Sequence, residues 1–125
     1  MVSQGPRTSE GKRMPPTPLP GRPARGSRTG RPIMALLDLL GRRWTLRVMW
    51  ELRDSTPQTF RGLQSRCGDI SSSVLTTRLR DLDEAGLITH LGEGYLLTSQ
   101  GRSLLGHLLP LDAWATRWAA NTRRR

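Results

Sequence analysis

The most constraining feature of this chain is the order of the patterns within residues 59–101. A short helical pattern over 60–67 is followed by a turn at 68–69, where glycine and aspartate favour tight backbone conformations. A second helix opens with three consecutive serines and keeps leucines at helical spacing as far as the alanine–glycine pair at 85–86. Two short runs, 87–91 and 95–98, flank a Gly-Glu-Gly tip and predict a hairpin.

Helix, turn, helix and hairpin in this order predict a winged helix-turn-helix, a mainly α fold with a small β-hairpin. The second helix would be the recognition helix, which fits the DNA major groove, with Ser71 as its N-cap. We expect two earlier helices over 33–40 and 43–53 and a minimal strand at 58–59. A terminal helix over 99–122 should be broken or kinked near Pro110, because proline removes a helical N–H.

The second helix carries leucines on one face and short polar side chains on the other. Serine and threonine are weak helix formers, so a face selected only for stability and solubility would favour lysine, glutamate, glutamine or alanine. Short hydroxyl side chains let a helix lie close to base edges, and Arg80 can reach a guanine or a phosphate. The alternative is a solvated face on which Arg80 pairs with Glu84. The expected DNA-contacting residues are Arg61, Ser71, Ser72, Ser73, Thr76, Thr77 and Arg80.

Two acidic features near this helix have structural interpretations. The carboxylates Asp81, Asp83 and Glu84 at its end are expected to be surface charge. The hairpin tip carries Glu93 and no arginine, so we expect the wing to have a structural role. Thr89 and His90 on its flank are weak candidates for DNA contacts.

Residues 1–31 have the composition of a disordered, basic arm rich in proline, arginine and glycine. The first 32 residues hold seven of the nine prolines and seven basic residues against one acid. Such a stretch buries too little apolar surface to offset its ordering entropy. We therefore expect a domain over 32–122, between this arm and a basic tail at 123–125. The alternative is that translation starts downstream, at Met14 or Met34.

The charge distribution points to a polyanionic partner. Residues 33–122 carry only +1 of the total charge of +10, and the termini carry the rest. Double-stranded DNA is a better candidate than a membrane, since no amphipathic basic helix accompanies the arms and no segment is long enough to span a bilayer.

The terminal helices carry apolar side chains that a second subunit could cover. The segment 33–40 is apolar on nearly every face, and the last helix has little left of its own domain to pack against. A dimer seam is one interpretation of this pattern, and the alternative is that the tryptophans are ordinary core. The expected interface residues are Met34, Leu37, Leu111, Trp114 and Trp118.

Enzymatic chemistry has no support in the sequence. No catalytic set, metal cluster or glycine-rich phosphate loop is visible, and the two histidines lie apart in the chain. We expect no cofactor. A single cysteine, Cys67, fits a reducing cytoplasm, and a buried, inert thiol is the commoner state of such a residue.

Several motifs follow one another in residues 31–121. They are Gly-Arg-Arg-Trp-Thr-Leu at 41–46, Thr-Phe-Arg-Gly-Leu at 59–63, the recognition-helix residues Ile70, Ser71, Leu75, Thr76, Arg78 and Leu79, Gly86-Leu87-Ile88, the run Tyr95-x-Leu97-Thr98-x-x-Gly101, and Trp118. In these motifs the chain resembles the HxlR-type winged-helix transcriptional regulators, relatives of the MarR group. The resemblance implies a bacterial DNA-binding protein that represses or activates transcription as a homodimer on an inverted-repeat operator, with its first and last helices at the interface.

The chain departs from this family at three places. Arg31 stands where the family often has a cysteine before a proline, so a thiol switch at that position is chemically impossible. Thr59 replaces the arginine of the family motif. The wing is shorter and less basic than usual, and we hypothesise that the arginine-rich arm compensates by following the minor groove.

The sequence therefore predicts a sequence-specific regulator. The rival interpretation is a winged-helix protein-interaction module whose basic arms bind nucleic acid nonspecifically. A small-molecule effector of unknown identity would have room between the terminal helices and the tryptophan-bearing helix. Neither the operator nor the direction of regulation follows from the sequence.

Overall fold

Five helices and three strands make up the computed structural model, which describes residues 16–123. In chain order they are α1 (Pro32–Leu40), α2 (Thr45–Glu51), β1 (Gln58–Thr59), α3 (Phe60–Arg66), α4 (Ser72–Glu84), β2 (Ile88–Leu91), β3 (Gly94–Leu97) and α5 (Ser99–Arg123). The mainly α fold with a small hairpin is confirmed.

The hairpin is the larger part of a three-stranded antiparallel sheet with the order β1-β3-β2. Its register pairs Ile88 with Leu97 and Leu91 with Gly94. The minimal strand predicted at 58–59 is also confirmed, and it pairs Gln58 with Tyr95 on the outer edge of β3. This pairing joins the start of α3 to the wing, so the two cannot move independently.

One apolar core lies beneath these elements. The leucines of α4 that the helical spacing predicts as core are fully or almost fully buried, as is Cys67 at the end of α3. The buried cluster consists of Leu39, Val48, Met49, Leu52, Leu63, Cys67, Ile70, Leu75, Leu79, Leu82, Leu87, Ile88 and Leu97. The burial of three leucines fixes the orientation of α4 against this core.

Helix α2 is shorter than the sequence predicts. It begins at Thr45 because Trp44 adopts a left-handed conformation with φ of 76° at the N-cap position. A residue in that region cannot continue a right-handed helix. The motif tryptophan therefore marks the start of α2, and its side chain packs against the edge of the core.

Helix α5 begins as the sequence predicts. The Thr98 hydroxyl accepts a hydrogen bond from the Gly101 backbone N–H at 3.1 Å and donates to the Gly86 carbonyl at 2.7 Å. A Cβ at Gly101 would overlap the backbone carbonyl of Leu87. Glycine at this position therefore lets α5 pack directly against the start of the wing.

Of the break or kink predicted near Pro110, the break is wrong, because α5 is one helix of 25 residues. Proline leaves the carbonyl four residues earlier without its helical donor. That carbonyl belongs to Gly106, which is exposed and has nothing within 4 Å of its Cβ position. Water can satisfy it there, so the helix continues.

Residues 16–31, here called the strap, differ from the expected disorder. The strap folds back on itself, with the Gly21 N–H donating to the Gly30 carbonyl at 3.0 Å. It contacts α1, since the Arg25 N–H donates to Asp38 Oδ2 at 3.2 Å. The rest of the predicted arm, residues 1–15, lies outside the described residues.

Polar contacts and the burial of Pro18 hold the strap in place. Thr17 is only 2% exposed, and its hydroxyl donates to Asp81 of α4 at 2.7 Å. Arg42 donates to the Pro16 carbonyl at 2.6 Å. A prediction based on low apolar content cannot detect such contacts, which explains the difference.

Candidate nucleic-acid interface

The turn between α3 and α4 is tight and is stabilised by a side chain. Gly68 and Asp69 both have positive φ, 73° and 61°. Gln64 of α3 donates through its amide nitrogen to the Ile70 carbonyl at 2.8 Å and to Ser72 Oγ at 3.3 Å. Gln64 of α3 thereby holds Ser72, the first residue of α4, in place.

Both helices of this motif begin with side-chain caps. The Ser71 hydroxyl accepts from the Val74 N–H at 3.2 Å, as predicted. Thr59, which stands in place of the family's arginine, accepts from the Gly62 N–H at 3.0 Å and caps α3. Residue 59 therefore has a local structural role here.

The outer face of α4 is polar and exposed. Ser72, Ser73 and Thr76 are exposed on its first two turns, and Arg80 follows one turn later. Arg61 is exposed on the preceding helix. These residues together with Ser71 form what we call the outer face, which carries six of the seven residues expected to contact DNA.

Thr77 is a correction to that set. It is only 7% exposed, and its hydroxyl donates to the Ser73 carbonyl at 2.9 Å. It lies one turn before the buried Asp81, on the flank of α4 rather than on its outer face. Its hydroxyl satisfies the helix backbone and is not presented to a ligand.

Asp81 is a buried ionic residue that the sequence analysis did not identify. We expected surface charge at 81–84, and this is wrong for Asp81, whose side chain is 0% exposed. Its Oδ1 accepts from Thr17 at 2.7 Å and from Arg80 at 2.8 Å. Its Oδ2 lies 3.3 Å from Arg42 and 3.5 Å from Arg78. The available signal was the i,i+3 spacing of Arg78 and Asp81 beside core leucines.

The buried carboxylate compensates buried cations. Burial lowers the pKa of the Arg78 guanidinium, and the neighbouring Asp81 opposes this shift. Arginine remains charged in proteins, so Arg78 needs the carboxylate to offset its desolvation. Arg80 is different, because its side chain is 43% exposed while one nitrogen contacts Asp81. The alternative pairing of Arg80 with Glu84 is not the one that the structure shows.

The wing lies beside the outer face. Its residues His90 and Tyr95 are cross-strand partners whose rings stack 4.2 Å apart. An open cavity of about 320 Å³ separates these rings from Thr76 and Arg80. Glu93 at the tip is exposed. His90 and Tyr95 of the wing thus border the groove next to α4, and the acidic residue that lines this groove is Asp83 of α4.

Apolar side chains are exposed on α1 and α5. Leu37 and Leu111 are each more than half exposed, and Met34 is half-buried. Trp114 and Trp118 are 53% and 56% exposed and stack on each other with centroids 6.0 Å apart. Exposed tryptophans that stack on each other, with an exposed leucine one turn away on the same helix, are candidates for an interaction surface.

Other kinds of site have less support. Residues 16–123 contain no group of three or more histidine, cysteine or acidic side chains that could hold a metal ion. Within the same residues, no helix has the length and apolar character needed to cross a membrane.

A capped helix-turn-helix followed by a hairpin, with a polar outer face, defines the class of winged helix-turn-helix DNA-binding proteins. A family model described as HxlR-like helix-turn-helix matches residues 39–123. The chain belongs to this family, and it is accordingly a transcriptional regulator with a helix-turn-helix domain.

Individual relatives agree with this assignment. A curated relative from Bacillus subtilis, an uncharacterized HTH-type transcriptional regulator called YvaP, is 28% identical over 89 residues, which cover 66% of this chain and 82% of the relative. The crystal structure of quinone-bound YodB from Bacillus subtilis has a TM-score of 0.64 at 27% identity, with 68% of this chain and 96% of that chain covered.

A second solved structure is a possible HxlR family transcriptional factor from Thermoplasma volcanium. It has a TM-score of 0.60 at 31% identity and covers 67% of this chain and 81% of that chain. The sequence-based resemblance to the HxlR-type regulators is thereby confirmed.

Proposed function

We propose that this protein is a sequence-specific regulator that binds an inverted-repeat operator as a homodimer, with α4 in the major groove. The proposal rests on the exposure of the polar residues on the outer face of α4. Its polar residues are exposed while the leucines on the opposite side anchor the helix in the core. A helix that is immobilised in this way can present its hydroxyl groups to base edges without reorganising.

The residue types on this face suit close approach to DNA. The hydroxyls of Ser72, Ser73 and Thr76 can donate or accept, so they can bind bases or phosphates at short range. Arg80 has the length to reach a guanine, which arginine contacts through two hydrogen bonds. Arg61 on α3 is exposed, and in this proposal it contacts the phosphate backbone.

The exposed apolar residues of α1 and α5 supply the surface for a second copy of the chain. Burying Leu37, Leu111 and Trp118 in an isologous contact would remove apolar side chains from water and place two α4 helices on one side of the dimer. Two recognition helices then bind half-sites about 34–36 Å apart, which requires a near-palindromic operator.

The basic arm contributes nonspecific affinity in this proposal. Residues 1–15 precede Pro16 and Thr17 in the chain, and Arg42 and Asp81 hold these two residues beside α4. The sequence of that segment has three basic residues and one acid. Its removal should weaken binding to all DNA and lower the slope of affinity against salt concentration.

The decisive experiment selects bound fragments from random DNA with the purified full-length protein. We expect enrichment of one near-palindromic site, bound about 10³-fold or more tightly than bulk DNA. Repeating the selection with Arg80→Ala should relax the preference at defined positions of each half-site. If no site is enriched, the protein is not a sequence-specific regulator.

A second candidate function is a protein-interaction module with nonspecific nucleic-acid binding. The exposed Glu93 at the wing tip and the charge of only +1 on residues 33–122 favour it. This candidate predicts equal affinity for all duplexes of the same length and full loss of binding when the arm is removed.

We also propose an apolar small-molecule effector. A cavity of about 450 Å³ opens between α2 and α5, where Leu46 and Trp50 face leucines of α5 and Asp112 is the one charged lining residue. Quinones are suitable probes, because a structural neighbour is a quinone-bound protein. Quenching of tryptophan fluorescence by a naphthoquinone should saturate in the wild type and weaken in Leu46→Ala.

A further inference from the structure

We propose that Thr17 is a positioning residue for Arg80, and that it acts through the shared carboxylate of Asp81. The inference rests on the proposed function, because it concerns how a DNA-facing arginine is held in the free protein. Thr17 belongs to the strap, outside residues 39–123 that match the family.

One oxygen atom joins the two residues. Oδ1 of Asp81 accepts from the Thr17 hydroxyl at 2.7 Å and from Arg80 Nη2 at 2.8 Å. Arg42 and Arg78 occupy the side of the other oxygen, at 3.3 Å and 3.5 Å. Because the Asp81 side chain is fully buried, water cannot replace a donor that is lost.

Thr17 is itself held from both sides. The carbonyl of the preceding residue, Pro16, accepts from Arg42 at 2.6 Å. The carbonyl of Thr17 accepts from Arg22 at 3.2 Å. With its main chain fixed and its side chain 2% exposed, Thr17 has a hydroxyl that points at Asp81 and nowhere else.

The shared oxygen links the hydroxyl to DNA recognition. Arg80 must weaken its contact with Asp81 when its guanidinium reaches a base. The Thr17 hydroxyl donates a hydrogen bond to Oδ1, so this oxygen keeps a donor when Arg80 moves away. The free-energy cost of moving Arg80 to a base is therefore lower. Without the hydroxyl, Oδ1 attracts the Arg80 guanidinium more strongly, and Arg80 contributes less to base discrimination.

The test compares Thr17→Val, which removes the hydroxyl and keeps the side-chain shape, with Thr17→Ser, which keeps the hydroxyl. The measured quantity is the ratio of affinities for the selected operator and for the same operator changed at the base pair where Arg80→Ala relaxes discrimination. We expect Thr17→Val to lower this ratio about 3- to 10-fold, a size typical of coupled neighbours, and Thr17→Ser to restore it.

A double-mutant cycle separates positioning from a structural role. In the Arg80→Ala background, Thr17→Val should change the ratio no further, because the residue that it positions is gone. An equal loss in both backgrounds, a uniform loss on all DNA, or an unchanged ratio in Thr17→Val would each overturn the inference. If the wild type selects no operator, the proposed function fails first, and this inference fails with it.

A measurement without DNA keeps the inference testable if a variant binds too weakly. The side-chain Nε resonance of Arg80 in the free full-length protein reports its contact with Asp81. It should shift in Thr17→Val and keep its wild-type position in Thr17→Ser. An identical Arg80 resonance in the wild type and Thr17→Val would contradict the inference.

Discussion

Arg42 and Asp81 are 39 residues apart in the chain, yet Nη1 of Arg42 lies 3.3 Å from Oδ2 of Asp81. The same guanidinium donates through Nη2 to the Pro16 carbonyl at 2.6 Å. One side chain from the loop between α1 and α2 therefore joins the strap to the recognition helix.

Arg42→Ala should destabilise the domain by about 1–3 kcal/mol, because it removes a charged donor from a buried carboxylate. Chemical denaturation measures the free energy of unfolding, and limited proteolysis should show faster cleavage within the strap. Arg43→Ala is the matched control, since Arg43 is an exposed neighbour. Equal stability of the two variants would contradict the role given to Arg42.

Arg80→Ala should weaken binding to the selected operator by about 1–3 kcal/mol and relax specificity at one position of each half-site. Arg43→Ala, outside α4, serves as the control for removal of an exposed arginine. The measurement is competition with operators that are changed one base pair at a time. A uniform loss over all sequences would identify Arg80 as a phosphate contact instead.

Leu111→Glu should convert the dimer into a monomer, because it places a charge in an apolar interface. Analytical ultracentrifugation should find the mass of one 14.0 kDa chain for the variant and twice that mass for the wild type. Leu91→Glu controls for the new charge, since Leu91 is 61% exposed on the wing. A wild type that sediments as a monomer at micromolar concentration would exclude the proposed dimer.

Cys67 should make the protein less stable at alkaline pH. Desolvation raises the pKa of its thiol, an effect that Arg47 opposes and Glu51 adds to. The folded state thus retains the proton longer than the unfolded chain, whose thiol titrates near about 8.5. The protonated thiol therefore contributes its full share to the free energy of unfolding below that pH. This share is lost as the pH rises through the pKa of Cys67 in the folded protein. In Cys67→Ala this part of the loss of stability at alkaline pH should be absent. If the free energy of unfolding falls with pH at the same rate in the wild type and in Cys67→Ala, the prediction is contradicted.

The sequence predicted the parts of the fold that depend on local patterns. The leucines of α4 recur at helical spacing, and Ser71 and Thr98 are strong capping types, so the core face and both caps were predictable. The chain turn at 68–69 followed from the glycine and aspartate there.

The remaining features depend on contacts between distant residues. Thr17 and Asp81 are 64 residues apart, so no periodicity indicates their contact, and the strap was expected to be disordered. Asp81 looks like surface charge in the sequence because two of its partners come from distant segments. Thr17 belongs to the strap and Arg42 to the loop between α1 and α2. Thr77 lies roughly 100° around the helix from Thr76, so a helical wheel separates the two residues. The wheel does not contain the tertiary contacts that cover the Asp81 side of α4, and for that reason it does not predict that Thr77 is buried.

Disulfide trapping tests the central claim, that the outer face of α4 contacts bases of the operator. Thr76→Cys in a Cys67→Ala background is mixed with operator DNA that carries a thiol-tethered base, and Thr116→Cys on α5 is the exposed control. We predict rapid cross-linking of Thr76→Cys to the operator, little to scrambled DNA, and none of Thr116→Cys to either. Equal trapping of Thr76→Cys by operator and scrambled DNA, or trapping at Thr116→Cys alone, would contradict this account.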